Sequence, residues 1–355
     1  MKEQRLFLDI HAIQTLPPSN VNRDDAGSPK TAQYGGVRRA RVSSQAWKRA
    51  MRLYFEENSE AELGLRSKNV ASYVADCIRD LDSTVSEEKA IEKANKVLNA
   101  AGIKVGKDNT TKALFFLGKT QAQALAKAAL NDLSDKKKLQ EMVKVNPAID
   151  IALFGRMVAD DPSLNEEASA QVAHAISTHA VQNEFDYYTA VDDLSAEDNA
   201  GAGMLGTVEY NSSTLYRYAN VAVHELLRQL GDAETTIRTL KLFIEAFSNS
   251  LPSGKVNTFA NDTLPQAIMI TVRDDRPVNL VSAFENPVKS KDGFVDESIK
   301  RLFAEKSKAE KFVHKPLLTL YVTKDGLVVP EDGVEEANLS KLLEDFSDKL
   351  STLLV

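Results

Sequence analysis

The sequence predicts an α+β fold, in which helices pack on a sheet and a helical segment interrupts the strands. Residues 6–16 alternate apolar and polar side chains up to a pair of prolines, which is typical of a β-strand. Residues 56–145 are instead rich in Ala, Lys, Glu, Leu and Asp, which indicates a helical insertion. Strand patterns then return in the second half of the chain. Strands with helices packed against them define the α+β class.

The remaining elements follow from periodicity, capping residues and helix breakers. Helices are predicted at 45–55, 86–101, 119–130, 135–145, 223–229, 233–247 and 338–350. Strands are predicted at 149–157, 172–181, 214–223, 267–272, 278–284 and 317–322. Residues 17–37 contain Pro, Asn, Asp and a Gly pair, which predicts a long loop, and the Gly- and Asp-rich segment 192–211 predicts an exposed excursion.

The composition of the 355 residues argues against several classes of protein. An apolar fraction of 43% is enough for a core, but there is no run of apolar residues long enough to span a membrane. The first residues mix charges with apolar side chains and lack a small-residue cleavage site, so no signal peptide is predicted. The single cysteine, Cys77, can form neither an internal disulfide nor a zinc site by itself. We therefore expect a cytoplasmic protein without a metal or a cofactor.

One segment has a charge opposite to that of the rest of the chain. Residues 26–55 contain no Asp or Glu, whereas the whole chain has a formal charge of −7 and the residues outside the segment sum to about −14. The segment carries the seven cations Lys30, Arg38, Arg39, Arg41, Lys48, Arg49 and Arg52. Because salt screens charge over ~10 Å, a polyanion at this segment experiences the local positive field. Clustered Arg and Lys of this kind indicate a surface that binds phosphate groups.

The helix predicted at 45–55 divides into two faces. At ~100° per residue, one face carries Gln45, Lys48, Arg49 and Arg52. The opposite face, which is suited to a core, carries Trp47, Ala50, Met51, Leu53 and Tyr54. Ser43 or Ser44 can cap the helix, whose first N–H groups and positive dipole end suit a phosphate. A helix that is merely solvated usually mixes charges of both signs, so the absence of acids favours a binding face.

The histidines give little indication of catalysis. His11 lies on the first predicted strand and has the chemistry of a general base, but no nucleophile or second histidine stands beside it in the sequence. His174 and His179 are five residues apart, which places them on neither one strand face nor one helix face. We expect both to be separate core or surface histidines rather than a shared metal site.

Two further pairs of residues each have two interpretations. Asp24 and Asp25 can bind a divalent ion, or they can cap a turn and pair with a neighbouring arginine. Tyr216 and Tyr218 can stack on nucleic-acid bases, or they can pack against a helix or the insertion. For both pairs, the second interpretation describes the more common arrangement.

Several strings of residues together carry a family resemblance. They are NRDD at 22–25, GGVRRARVSSQ at 35–45, KRAMR at 48–52, DIALFGRM at 150–157, AHAISTH at 173–179, TAVDDL at 189–194, LGT at 205–207, YRYAN at 216–220 and AFE at 283–285. In this order they resemble the CasC-type backbone subunit of the type I-E CRISPR Cascade complex, a member of the RAMP superfamily. The resemblance extends from about residue 6 to about residue 295.

The resemblance implies a hand-shaped protein whose palm is a modified ferredoxin-like, or RNA-recognition-motif, sheet. It places the palm at 1–55, 146–189 and 216–355, the helical fingers at 56–145 and a thumb hairpin at 190–215. The RNA-contacting residues of the family correspond to Arg23, Lys30, Ser43, Gln45, Lys48, Arg49 and Arg52, and the base-displacing thumb tip to Met204, Leu205 and Thr207. We add Arg38, Arg39 and Arg41 of the basic segment to the predicted RNA-binding surface.

The leading hypothesis is a non-catalytic RNA-binding scaffold in antiviral defence. The resemblance implies that copies of the chain polymerise along a CRISPR guide RNA (crRNA), beside other Cascade subunits, and present the guide for pairing with target DNA. The alternative is a metal-dependent endoribonuclease that uses Asp24 or Asp25. A third hypothesis, a scaffold for acidic protein partners, is disfavoured because Ser43, Gln45 and glycines are interspersed among the cations.

Overall fold

The computed structural model describes residues 5–158, 160–190, 204–324, 326–327, 329 and 333–354. The strands are β1 (Phe7–Ser19), β2 (Thr31–Tyr34), β3 (Val37–Val42), β4 (Leu65–Ser67), β5 (Phe115–Leu117), β6 (Ala170–Val172), β7 (Ala175–Ser177), β8 (Glu184–Ala190), β9 (Met204–Ala222), β10 (Pro265–Arg273), β11 (Leu318–Thr323) and β12 (Val334–Glu335). The helices are α1 (Ser44–Asn58), α2 (Val70–Leu81), α3 (Glu87–Ala101), α4 (Lys119–Leu130), α5 (Lys136–Lys144), α6 (Ile149–Phe154), α7 (Val223–Leu230), α8 (Ala233–Asn249), α9 (Val256–Phe259), α10 (Val295–Ala309) and α11 (Leu339–Leu353). The α+β class predicted from the sequence is confirmed.

The first strand lies at the centre of the main sheet. β1 pairs antiparallel with β10 on one side and with β9 on the other. The order across the sheet is β12-β11-β10-β1-β9-β7-β3-β2, and β6 and β8 also pair with β9. Side chains of β1 alternate between the two faces, with Leu8 and Ile10 on one and Asp9 and His11 on the other. All four are buried, so helices or loops cover both faces of this strand.

The two faces of the sheet bury separate layers. On the first face, Leu8 and Ile10 share a core with Met51 of α1, Phe243 of α8 and Phe346 of α11. On the second face, a core forms around Tyr216 and Tyr218 of β9, Phe284, and Phe303 of α10. The tyrosines therefore pack in the interior, as the second of their two interpretations expected, and they are not available to stack on bases.

The helical insertion forms a unit with its own core. Val74, Ile78, Leu98 and Leu125, from α2, α3 and α4, are almost completely buried against one another. The small sheet β4-β5 lies within the same segment of the chain. The helices predicted at 86–101, 119–130 and 135–145 are confirmed as α3, α4 and α5.

A long hairpin extends from the sheet. β9 is 19 residues long, and its first part pairs with β8 from Glu184↔Tyr210 to Ala190↔Met204. Every residue of β8 is exposed. Residues 192–203 of the excursion predicted at 192–211 lie outside the described residues, and the later part belongs to β9.

The structure corrects several predicted elements. The strand predicted at 149–157 is instead helix α6, and the strand predicted at 278–284 contains a 3₁₀ turn at Val281–Phe284. The predicted loop 17–37 contains β2 and the start of β3, and its two prolines lie inside β1. Helices α2 and α10 were not predicted from the sequence.

Candidate nucleic-acid interface

Helix α1 is the centre of the basic surface. The Ser43 hydroxyl accepts a hydrogen bond from the Ala46 N–H, and Asn22 Oδ1 accepts one from the Ser43 N–H, so the start of the helix is fixed. The first turn contains no acidic residue, which leaves its positive dipole end uncompensated within the helix. Ser43 is buried, and its hydroxyl oxygen accepts within the cap, whereas the cap does not use the hydroxyl proton.

The buried face of α1 agrees with the prediction in most positions. Of the predicted residues, Trp47, Ala50 and Met51 are buried and Tyr54 is half-buried, and Phe55 is buried as well. Leu53, which was predicted to face the core, is 40% exposed, so its prediction is wrong. Leu53 instead lines a shallow cleft beside Ser250–Gly254, in the loop after α8.

The opposite face of α1 lines an open groove. The groove has a volume of about 810 Å³ and is bounded by Gln45, Lys48, Arg49 and Arg52 on one side. Its other walls come from the helical insertion, the end of α6 and the segment after it, and they include Arg66, Phe116, Phe154, Met157, Glu166 and Glu167. The structure therefore brings together the four residues that the helical wheel placed on one face. Arg66 joins them from β4, and no signal in the sequence indicated its participation.

The three cations of this face differ in their surroundings. Arg49 is exposed. Lys48 is half-buried, its Nζ lies 5.6 Å from the centre of the Phe154 ring, and burial lowers its pKa. Arg52 donates from Nε to Asp150 Oδ2 at 2.9 Å and stacks 4.6 Å from the Phe116 ring. Lys48 and Arg49 are thus the cations best placed to bind an external anion, whereas the Arg52 guanidinium is already bonded to Asp150.

The three arginines of the β2–β3 hairpin also differ in their exposure to solvent. Arg38 is exposed and Arg41 is half-buried. Arg39 is completely buried, and its guanidinium donates to the backbone carbonyls of Tyr34, Ser177, Phe284 and Glu285. The prediction that Arg39 belongs to an RNA-binding surface is therefore wrong, because its donors hold the hairpin to the rest of the protein.

The loop before β2 carries Arg23, Asp24, Asp25 and Lys30. Arg23 and both aspartates are exposed, and Lys30 lines a shallow cleft with Arg41. Asp24 Oδ1 accepts hydrogen bonds from the N–H groups of Ala26 and Ser28 at 3.0 and 2.9 Å. For Asp24, this is the turn-capping interpretation. Among the residues that the structure describes, no three His, Cys, Asp or Glu side chains come together in a way that could hold a metal ion.

The β8–β9 hairpin exposes apolar side chains. Leu205 is 59% exposed and Thr207 is also exposed, whereas only the backbone of Met204, paired with Ala190, is described. In β8, the Phe185 side chain is 65% exposed and the Tyr187 side chain is 64% exposed. The alternation of Glu, Phe, Asp and Tyr in β8 is the sequence signal from which these exposed side chains could be predicted. Within the described ranges, no helix is long and apolar enough to cross a membrane.

Chains of known structure share this fold. A chain from a solved structure described as "CRISPR RNA-guided surveillance complex, pre-nicking" matches with a TM-score of 0.86 and 32% identity, over 97% of this chain and 99% of that chain. A chain from a "CRISPR RNA-guided surveillance complex" matches with a TM-score of 0.75 and 28% identity, again over 97% and 99%. No curated protein matches.

The matches identify the class of protein to which this chain is similar and the family to which it belongs. The class is that of chains of CRISPR RNA-guided surveillance complexes, to which this chain is similar over nearly its whole length. The model of the CT1975-like protein family matches residues 8–347, and the chain belongs to this family. The resemblance to Cascade backbone subunits that the sequence carries is thereby confirmed.

Proposed function

We propose that the chain is a non-catalytic backbone subunit that binds crRNA in a CRISPR Cascade surveillance complex, in the cytoplasm, in antiviral defence. The observation that carries the proposal is the groove beside α1, where Gln45, Lys48, Arg49 and Arg66 converge in a chain that is otherwise acidic. A long anionic polymer fits an open groove of this kind better than a compact ligand does. The similarity to chains of RNA-guided complexes supports the same ligand.

The chemistry of the groove suits a guide of any sequence. Lysine and arginine bind phosphates, and such contacts position a strand without reading its bases. A guide must keep its base edges free, since pairing with target DNA carries the specificity in RNA-guided systems. Arg49 supplies an exposed guanidinium and Gln45 an exposed amide, and both can reach backbone oxygens. Arg23, Lys30, Arg38 and Arg41 would extend this contact along the strand.

The hairpin of β8 and β9 is our candidate for the thumb, and the unit α2–α5 for the fingers. The exposed Leu205 can act as an apolar wedge between stacked bases, with Met204 and Thr207 beside it. Separating a base step costs a few kcal/mol. A hairpin that reaches from one copy onto the RNA of the next makes a head-to-tail contact, which does not close and gives a filament. Contacts along that filament, including those with other Cascade subunits, offset the cost of separating the bases.

The endoribonuclease alternative receives no comparable support. It requires Asp24 or Asp25 to act with a metal ion, and the Asp24 carboxylate already accepts two N–H groups of its own loop. Catalysis by this loop would be detected as metal-dependent RNA cleavage that Asp24→Ala or Asp25→Ala abolishes.

The proposal is tested by the RNA content of the purified complex. The chain is co-expressed with the other Cascade subunits and a CRISPR array, and the bound RNA is measured by absorbance ratio and gel. We expect a discrete RNA of guide length, protected by several copies of the chain. Lys48→Glu and Arg49→Glu should each lower the RNA content, because they place a negative charge in the groove.

A matched control makes the same charge change elsewhere. Lys300 is an exposed residue of α10, which packs on the opposite face of the sheet from α1. Lys300→Glu should leave the RNA content unchanged, and all three variants should keep the unfolding temperature of the parent. An RNA content that is equal in all variants would contradict the assignment of the groove. A complex free of nucleic acid with all partners present would contradict the function itself.

A further inference from the structure

His174 lies beside the basic surface without belonging to the predicted set. It is an exposed residue of the connection between β6 and β7. β7 pairs antiparallel with β3 so that Val42 is opposite Ala175. The preceding position, His174, is therefore next to Ser43, where α1 begins. The sequence pattern by itself predicts only a core or surface histidine at this position.

A neighbouring arginine fixes the protonation of the imidazole ring. Arg41 Nη1 lies 3.1 Å from His174 Nδ1. A guanidinium has only donors, so Nδ1 must accept the hydrogen bond and carries no proton. Arg41 cannot turn away freely, because its Nε donates to the Thr31 carbonyl at 3.2 Å. In the neutral ring, the single proton is therefore on Nε2, which is a hydrogen-bond donor.

The surrounding charges keep the ring neutral. Partial burial lowers the pKa of His174 first, and the positive charges of Arg41 and Lys30 lower it further. A second proton would have to enter at Nδ1 and would break the contact with Arg41. At pH 7 the ring is therefore an uncharged donor between two cations. The Nε2 nitrogen has no free lone pair in this state, so it cannot bind a metal ion.

We propose that His174 donates a hydrogen bond from Nε2 to a phosphate oxygen of the bound RNA, and that Arg41 holds the ring in the tautomer that makes this possible. The inference rests on the proposed function, whose binding surface it extends to the connection before β7. Arg41 and Lys30 supply the charge that attracts a phosphate, and His174 supplies a directed donor. A neutral donor adds a fixed direction that flexible lysines lack.

Substitution of the histidine tests the contact. His174→Phe keeps a ring of similar size and removes the donor, whereas His174→Gln keeps a donor near the position of Nε2. Affinity for a short single-stranded RNA is measured with the full chain by fluorescence anisotropy. We expect His174→Phe to weaken binding about three- to tenfold, as for loss of one hydrogen bond. His174→Gln should weaken it less, and equal binding by His174→Phe and the parent would overturn the proposal.

The dependence on pH separates a neutral donor from a charged one. The ratio of the affinities of the parent and His174→Phe should stay constant from pH 8 to pH 6, because the donor is protonated throughout. A parent affinity that rises towards pH 6, with a rise that His174→Phe abolishes, would identify an imidazolium contact and overturn the tautomer argument. The matched control is His314→Phe, since the His314 side chain is exposed and its Nδ1 lies 3.6 Å from a carboxylate oxygen of Asp274. It should bind as the parent does.

Two further measurements identify the RNA group that accepts the hydrogen bond. They also show whether a failure concerns the role of His174 or the proposed function. A DNA strand of the same sequence should lose the same factor on His174→Phe, whereas a loss confined to RNA would assign the acceptor to a ribose hydroxyl instead. Nitrogen NMR of the free protein at pH 7 should find Nε2 protonated and Nδ1 not, and the reverse would overturn the proposal. If the parent bound no RNA while the tautomer was as expected, the proposed function itself would have failed.

Discussion

The Arg52 guanidinium and the Asp150 carboxylate meet at 2.9 Å where the helical insertion leaves and rejoins the sheet. Asp150 is completely buried at the start of α6, and its other oxygen accepts from the Gly64 N–H at 2.8 Å. Arg52 also donates to the Gly64 carbonyl at 3.1 Å. Burial raises the pKa of Asp150, and the bonds from Gly64 and Arg52 only partly oppose this. The pair therefore fixes the orientation of the insertion, and with it one wall of the groove.

Removal of Arg52 should destabilise the protein. Arg52→Met leaves the Asp150 carboxylate buried without its cation, so we expect the free energy of unfolding to fall by about 2–4 kcal/mol. Chemical denaturation measures the change. Lys48→Met is the control, because this neighbouring cation contacts an aromatic ring rather than a carboxylate, and its effect should stay within ~0.5 kcal/mol. Asp150→Asn in the Arg52→Met background should recover part of the loss, and equal losses in both single variants would contradict the structural role.

The pKa values of Asp9 and His11 in β1 are shifted in opposite directions. Burial raises the pKa of Asp9 to about 7, although bonds from Tyr218 and the Val278 N–H and the charge of Arg273 lower it. Burial and the charge of Arg273 lower the pKa of His11 to about 3. The contribution of Asp9 to stability is present below its ordinary pKa of about 4 and is lost as the pH rises to about 7. The contribution of His11 is present above about 6.5 and is lost as the pH falls to about 3.

The two effects oppose each other between about pH 4 and pH 6.5, so a substitution should unmask one of them. In His11→Phe, the free energy of unfolding should fall with rising pH relative to the parent, by up to about 1.4 kcal/mol per pH unit in this range. Asp9→Asn should have the opposite slope. Urea unfolding at a series of pH values measures both. His314→Phe, at an exposed site, is the control, and parallel profiles for all four proteins would refute the assignment.

Arg217 is buried between two aromatic rings without a carboxylate partner among the described contacts. Its guanidinium carbon lies 3.6 Å from the Trp47 ring centre and 4.4 Å from that of Phe247, and it donates to Gln14 and to the Phe247 carbonyl. A lysine cannot stack on two rings and serve two acceptors, so Arg217→Lys should lower the free energy of unfolding by about 2–3 kcal/mol.

Chemical denaturation tests this expectation, with Arg238→Lys as the control. Arg238 is a largely exposed residue of α8, and its replacement should change the free energy of unfolding by less than ~0.5 kcal/mol. A result for Arg217→Lys as small as that of the control would mean that the stacked guanidinium contributes little to holding α1 on the sheet.

The parts of the fold that the sequence predicted well are those determined by local signals. α3 begins after Ser86, whose hydroxyl caps it, and ends at Gly102 in the left-handed conformation. α5 begins after Asp135, which accepts two N–H groups. The central strand followed from simple alternation. Helix α6 was mistaken for a strand because its six residues, of which all but Asp150 are apolar, are too few to show a periodicity that separates the two structures.

The errors in the candidate site arise from contacts between distant parts of the chain. Arg39 donates to the carbonyl of Phe284, 245 residues further along, and no local pattern distinguishes it from the exposed Arg38. The segment predicted as a strand at 278–284 is instead held in a turn, since the Asp9 carboxylate and the Tyr216 hydroxyl accept its N–H groups. The groove face of α1 was predictable because the periodicity of a helix determines which side chains share a face.

The turn of the β2–β3 hairpin tests how this distant segment positions the basic surface. Gly35 and Gly36 both have positive φ, +57° and +76°, so an alanine at either position introduces backbone strain of about 1–2 kcal/mol. A Cβ atom on Gly35 would lie 1.7 Å from the Glu285 carbonyl oxygen, whereas one on Gly36 would meet nothing within 4 Å. Gly36→Ala is therefore a matched control that isolates the contact with Glu285.

We expect Gly35→Ala to lower the free energy of unfolding by at least about 2 kcal/mol more than Gly36→Ala, in the range of overpacked sites. The clash must move the hairpin away from Glu285, and Arg39 then loses a carbonyl acceptor there. Because Arg38 and Arg41 move with the hairpin, the RNA content of purified complexes should fall in Gly35→Ala and stay near that of the parent in Gly36→Ala. Equal stability and equal RNA content in the two variants would mean that the hairpin is positioned independently of the segment around Glu285.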